Sequence, residues 1–106
     1  MPFLKRSDMK ERALVPGFRA RFAHGEQITV GQVRIEAGAA LPQHAHPHEQ
    51  ISTLVKGQFE FTLGGETMLL KAGSVVVIPP NVPHSARALT ECLVIDAFHP
   101  VREDYR

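Results

Sequence analysis

The 106-residue sequence has little of what marks several classes of protein. Its one cysteine, Cys92, cannot close an internal disulfide, and twelve Lys and Arg against eleven Asp and Glu leave a net charge of only +1. The basic residues are scattered, so we expect no nucleic-acid partner. The longest apolar run, residues 75–80, is far shorter than the roughly 20 residues of a membrane helix. Residues 1–10 carry charges where a signal peptide is apolar, and we therefore expect a cytoplasmic protein that does not bind membranes.

What is present is the composition of a globular protein. Hydrophobic residues make up 43% of the chain and charged residues 22%, which is enough apolar material to form a core. The length fits one domain, residues 1–106, and excludes a (β/α)8 barrel or a full dinucleotide-binding fold.

The pattern of apolar residues predicts an all-β fold. Eight Gly and eight Pro interrupt the chain, and between them apolar and polar residues alternate with a period of two. Strands are predicted at 18–22, 28–35, 51–55, 58–63, 66–70, 75–78 and 91–98, with a two-residue turn at Gly64 and Gly65. Only residues 1–12 are expected to contain a helical turn. Roughly eight short strands indicate a sandwich or a small barrel of the jelly-roll type.

Histidines are concentrated in one short segment. His44, His46 and His48 lie within five positions, and in a strand His44 and His46 would project from the same face and could bind one metal ion. Pro47 argues that the strand does not continue to His48. The alternative is a polar loop whose histidines are exposed to solvent.

The segments around these histidines resemble the two motifs of the cupin superfamily. The first, at residues 38–57, has an HxH pair and Gln50 in place of the usual glutamate, framed by Gly38 and Gly57. The second, at residues 73–88, has its histidine at position 84. Asn81 stands in place of a glycine of this motif and Ala88 in place of an asparagine. Asn81 is tolerable there because Asn enters the left-handed region more readily than most residues.

The resemblance implies a single-domain cupin, a jelly-roll β-barrel that binds one divalent transition metal through His44, His46, Gln50 and His84. Glu49 is the alternative ligand if a bulge shifts the strand by one residue. Three imidazoles and an amide bring no charge, so the ion would keep its full +2 and act as a strong Lewis acid. Without a carboxylate ligand, oxygen chemistry is disfavoured. Nickel, zinc, iron and manganese all accept this ligand set.

Asp96 is the lone carboxylate in the last predicted strand, on the same face as Val94 and Phe98. A charge in such a run must be paired, hydrogen-bonded or kept with a raised pKa for catalysis. Three segments, at residues 46–50, 78–84 and 96–105, resemble the small KdgF-type cupins of pectin and alginate breakdown, and the similarity covers roughly residues 38–105. That resemblance implies an acid/base role for Asp96, packing of Phe98 against a sugar and recognition of a carboxylate by Arg102. From the sequence alone, Arg102 could equally be a solvated tail residue paired with Glu103 or Asp104.

The expected function is therefore a metal-dependent conversion of 4,5-unsaturated monouronates to the linear keto form, with a small acidic sugar-derived substrate. The alternatives are a cupin that binds a small metabolite without turnover, and a metal-dependent cupin oxygenase or isomerase for another substrate. Apolar residues on both faces of the last strand predict a covered outer face and a homodimer.

Overall fold

A computed structural model describes residues 3–106, which form ten strands and two single-turn 3₁₀ helices. The strands are β1 (Glu11–Val15), β2 (Phe18–His24), β3 (Thr29–Ile35), β4 (Ala40–His44), β5 (Glu49–Lys56), β6 (Gln58–Leu63), β7 (Glu66–Lys71), β8 (Val75–Ile78), β9 (His84–Ala88) and β10 (Cys92–His99). The 3₁₀ turns span Arg6–Asp8 and Glu103–Tyr105. No helix of the described residues is long and apolar enough to cross a membrane.

The strands form two antiparallel sheets that enclose the core. One sheet has the order β1-β2-β3-β10-β5-β8 and the other the order β4-β9-β6-β7. Residues that alternate along the strands fill the space between the sheets, among them Phe18, Val33, Leu54, Phe59 and Phe61. This arrangement is the jelly-roll barrel, and it confirms the all-β prediction.

The seven predicted strands are confirmed, with ends that differ by at most two residues. Strands β1, β4 and β9 were not predicted. A helical turn lies within the segment where one is predicted, at residues 6–8, and β1 begins soon after, at Glu11. Residues 1 and 2 of that segment lie outside the described part of the chain. The expectation that no other segment contains a helical turn is wrong, because residues 103–105 form a second one. Strands β4 and β9 are rich in small and polar residues and lack an apolar run. Their pairing, with His44 opposite His84, is a long-range feature that local pattern does not reveal.

Two turn positions fix the ends of the barrel strands. Asn81 has φ of 65°, and it is the only non-glycine with positive φ among residues 3–106, which confirms that it can occupy the glycine position of the motif. Its N–H donates to the carbonyl oxygen of His46 at 2.8 Å. Gly57 has φ of 100°, and a Cβ there would collide with the carbonyl oxygen of Glu91. Both positions therefore limit which residue the chain can accept.

Candidate metal centre

The barrel contains a cavity of about 450 Å³ between the two sheets. Its polar lining residues include His44, His46, Gln50, Ser52, His84, Asp96, Arg12, Arg102 and Asp104, with apolar walls from the core. A cavity of this size accommodates a small ligand rather than a polymer.

Three histidines from separate segments converge in this cavity. His44 ends β4, His84 begins β9 directly opposite, and His46 lies in the connection to β5. Their possible ligand nitrogens lie within 4.8 Å of one another, a grouping that leaves out His48. His44 and His46 are close enough to bind one metal ion, as predicted, but the expected shared strand is wrong, because β4 ends at His44. His46 instead reaches the cavity from a connecting segment whose carbonyl accepts the N–H of Asn81.

Backbone carbonyls fix the protonation of all three imidazoles. The Nδ1 atoms of His44 and His84 lie 2.9 Å from the carbonyl oxygens of Pro42 and Val82, and Nδ1 of His46 lies 3.1 Å from that of His48. A carbonyl only accepts, so each Nδ1 carries the proton and each Nε2 carries a lone pair.

The lone pairs of these nitrogens are available to a cation. Burial lowers the pKa of His46 and His84, which keeps both rings neutral. Nε2 of His84 is buried without a hydrogen-bond partner among the described residues. A buried, unpartnered acceptor beside two others fits a bound metal ion, since neutral imidazole is a common ligand of zinc, nickel and iron. The three histidines could therefore bind one metal ion.

The amide oxygen of Gln50 also faces the cluster of three histidines. Oε1 of Gln50 lies 2.9 Å from Nε2 of His46. With the proton of His46 on Nδ1, both atoms are acceptors, and a cation shared between them would satisfy both. The orientation of the amide follows from Ser52. When Asp96 is ionised, the Ser52 hydroxyl must donate to it, at 2.6 Å, and must accept from Nε2 of Gln50, at 2.9 Å. Glu49 is exposed and lies on the opposite face of β5, so Gln50 is the residue placed as an oxygen ligand.

Asp96 lies on the inner face of β10, opposite Ser52 of β5 and beside the cavity. Burial raises the pKa of its carboxyl to about 6, although the hydrogen bonds from Ser52 and Gln50 act in the opposite direction. It is therefore a carboxyl group that can be protonated near neutral pH. Its predicted part in proton transfer stays a prediction.

Arg102 is only 7% exposed and lies in the cavity wall. Its Nε and Nη2 donate to the carboxylate of Asp104 at 3.0 and 2.8 Å, and this guanidinium holds the pKa of Asp104 below its usual range. The guanidinium carbon lies 4.7 Å from the ring centre of Phe98 and 4.1 Å from that of Tyr105. The pairing with Asp104 that the sequence left open is formed, and in it the Arg102 guanidinium is buried while Asp104 is exposed. Recognition of a carboxylate by Arg102, and sugar packing by Phe98, stay predictions.

Comparison with known proteins agrees with this geometry. Residues 31–98 match the family model of the cupin domain. The chain is a cupin. It is 34% identical to the structure of KdgF from Halomonas sp., with a TM-score of 0.90 over 98% of this chain and 97% of that one. An RmlC-like cupin from Shewanella frigidimarina gives 28% identity and a TM-score of 0.92 over 98% of this chain and 95% of that one. An uncharacterized protein of Streptomyces coelicolor is 32% identical over 91 residues, 85% of this chain and 87% of that protein.

The polar residues of this cupin cavity that sequence reasoning missed include Ser52 and Arg12. Ser52 could have been found, because a period of two places it on the same face as Gln50 in a strand that was predicted. Arg12 lies in β1, which was not predicted, so no pattern assigned it to the inner face.

Proposed function

We propose that this cupin is a metal-dependent enzyme that converts 4,5-unsaturated monouronates to their linear keto forms. One observation carries the proposal: a carboxyl group with a pKa of about 6, Asp96, shares a cavity with three convergent imidazoles. The residues proposed to bind the metal and the group proposed to transfer the proton thus line the same cavity. Similarity to KdgF over nearly the whole chain supports the choice of substrate class that the sequence resemblance implies.

The reaction is an isomerisation that consumes no oxidant. The proton of the C1 hydroxyl is removed, the bond from C1 to the ring oxygen breaks, and C1 becomes an aldehyde. The ring oxygen remains on C5 as an enol, which takes a proton at C4 and loses its own to become a ketone. One group that gives and takes a proton near neutral pH serves these steps, and Asp96 has the pKa for that role.

The residues around Asp96 divide the remaining tasks. A divalent ion bound by His44, His46, His84 and Gln50 would supply a Lewis acid for substrate oxygens. The neutral ligands leave its charge undiminished. Phe98 offers an apolar wall for the sugar ring, held in place by the guanidinium of Arg102.

Turnover of an unsaturated uronate tests the proposal. Metal-loaded protein should accelerate the loss of the absorbance of the C4–C5 double bond over the spontaneous rate. Asp96→Asn should fold and bind metal, and its rate should be about 10²- to 10⁴-fold lower than that of wild type. Asp8→Asn makes the same change outside the cavity and should be fully active. Wild-type protein that leaves the decay at its spontaneous rate with every such uronate contradicts the proposal. Uronate binding without turnover would instead support the alternative of a non-catalytic binding protein.

We also propose that the outer face of the larger sheet is covered by a second copy of the chain. Ile51, Val75 and Val77 are 42%, 55% and 55% exposed, and they lie beside half-buried Ile95 and Ala97. None of these residues is charged, so two identical faces can meet about a two-fold axis without like-charge repulsion. Light scattering should give a dimer mass for wild type and a monomer mass for Val77→Lys. A monomeric wild type at micromolar concentration contradicts this proposal.

A further inference from the structure

Arg12 places a positive charge on the inner face of the barrel. It stands opposite Ala20 in the pairing of β1 with β2, and Ala20 is only 1% exposed. Residues directly opposite in an antiparallel pair project from the same face, so the Arg12 side chain projects inward. It lines the cavity and also a neighbouring pocket that Arg106 lines.

The guanidinium of Arg12 is almost unused by the protein. Its one hydrogen bond runs from Nη1 to the main-chain oxygen of Arg106, the last residue of the chain, at 3.1 Å. No Asp or Glu side chain of residues 3–106 forms an ion pair with it. The neighbouring carboxylate, Glu11, pairs instead with Arg19 and Arg21 on the adjacent strand.

The other guanidinium of the cavity differs in this respect. Arg102 already has a two-point contact with Asp104, and the two charges compensate each other. Arg12 is therefore the cavity guanidinium that no Asp or Glu side chain of residues 3–106 neutralises. Its N–H groups other than the one on Nη1 that contacts Arg106 form no hydrogen bond with residues 3–106, and a guanidinium matches both oxygens of a carboxylate.

We propose that Arg12 binds the carboxylate of the ligand and makes the cavity selective for sugar acids over neutral sugars. This inference rests on the proposed function for its substrate class. It assigns the ligand an orientation, with the carboxylate towards β1 and the hydroxyl groups towards the histidines. Carboxylate binding is thereby separated from the Arg102–Asp104 pair, which forms part of the cavity wall.

The test compares binding of D-galacturonate and D-galactose to the metal-loaded protein by calorimetry. Wild type should prefer the acid, and Arg12→Gln should lose about ten- to a hundredfold in affinity for it while its affinity for galactose stays unchanged. Arg12→Lys should recover part of the loss because it restores the charge without the fork. Arg34→Gln removes the same charge from an exposed position on β3 and should behave as wild type.

Two results overturn the inference. One is a wild type that binds galacturonate no more tightly than galactose, and the other is an Arg12→Gln variant that keeps the wild-type preference for galacturonate. With an unsaturated uronate as substrate, Arg12→Gln should raise KM and change kcat little, because a carboxylate contact serves ground and transition states alike. Arg12-dependent binding of galacturonate by a protein that turns over no unsaturated uronate would refute the proposed reaction and leave the role of Arg12 standing.

Discussion

Replacing Ser52 by alanine should weaken metal binding through a residue that does not touch the metal. The hydroxyl connects Gln50 to Asp96 by two hydrogen bonds of 2.9 and 2.6 Å, and it is the contact that turns the amide oxygen towards the histidines. Without it, the Gln50 amide is free to rotate. Loss of such an outer partner of a metal ligand typically weakens binding about ten- to a hundredfold.

The same substitution should destabilise the metal-free protein. It leaves one N–H of Gln50 and one oxygen of Asp96 without a partner, and each such loss in a buried site costs about 1–3 kcal/mol. The cavity lets water reach part of this network, so we expect a loss of about 2 kcal/mol in the free energy of unfolding.

Competition calorimetry with Zn²⁺ and urea denaturation measure the two effects. Ser52→Thr keeps the hydroxyl and should retain metal affinity. Thr53→Ala removes a hydroxyl from the next position, on the opposite face of β5, and should leave metal affinity unchanged. If Ser52→Ala binds Zn²⁺ as tightly as Thr53→Ala does, the argument that Ser52 orients the amide is refuted.

Two further substitutions test the charge of the ligand set and the buried carboxyl. Gln50→Glu should still bind metal but turn over an unsaturated uronate more slowly, because a carboxylate ligand reduces the charge of the ion; an unchanged or faster rate would remove that argument. Burial raises the folded-state pKa of Asp96 to about 6, above the unfolded value near 3.9, so ionisation destabilises the metal-free native state as pH rises through this window. The unfolding free energy of Asp96→Asn minus that of wild type should therefore increase by about 2–3 kcal/mol from pH 4 to pH 8, and urea titrations that show no increase would contradict the raised pKa.

The sequence predicted those parts of the fold that local pattern determines. Alternating or continuous apolar residues located seven strands, and the adjacent pair Gly64–Gly65 located the hairpin of β6 and β7. In that turn, only Gly64 has positive φ, at 63°. Strand β9 was missed because its identity depends on pairing with β4 and β6 rather than on its own residues.

The sequence predicted those site residues that motif spacing specifies. It did not predict the features of the site that depend on tertiary contacts. Motif spacing identified the histidines, and strand alternation placed Asp96 on the face of Val94 and Phe98, which the structure shows to be the inner face. The reason for the position of His46 was missed, because a loop and the backbone of Asn81 place it rather than a strand. The engagement of Arg102 by Asp104 depends on how the C-terminal segment folds over Phe98, and no local pattern encodes that path.

The most direct test of this account is the metal content of the purified protein. Elemental analysis should find close to one divalent transition metal ion per chain in wild type and almost none in the double variant His44→Ala/His46→Ala. Circular dichroism should show that the variant keeps its β-sheet structure. A folded double variant that retains the metal content of wild type would contradict the assignment of the centre to these histidines.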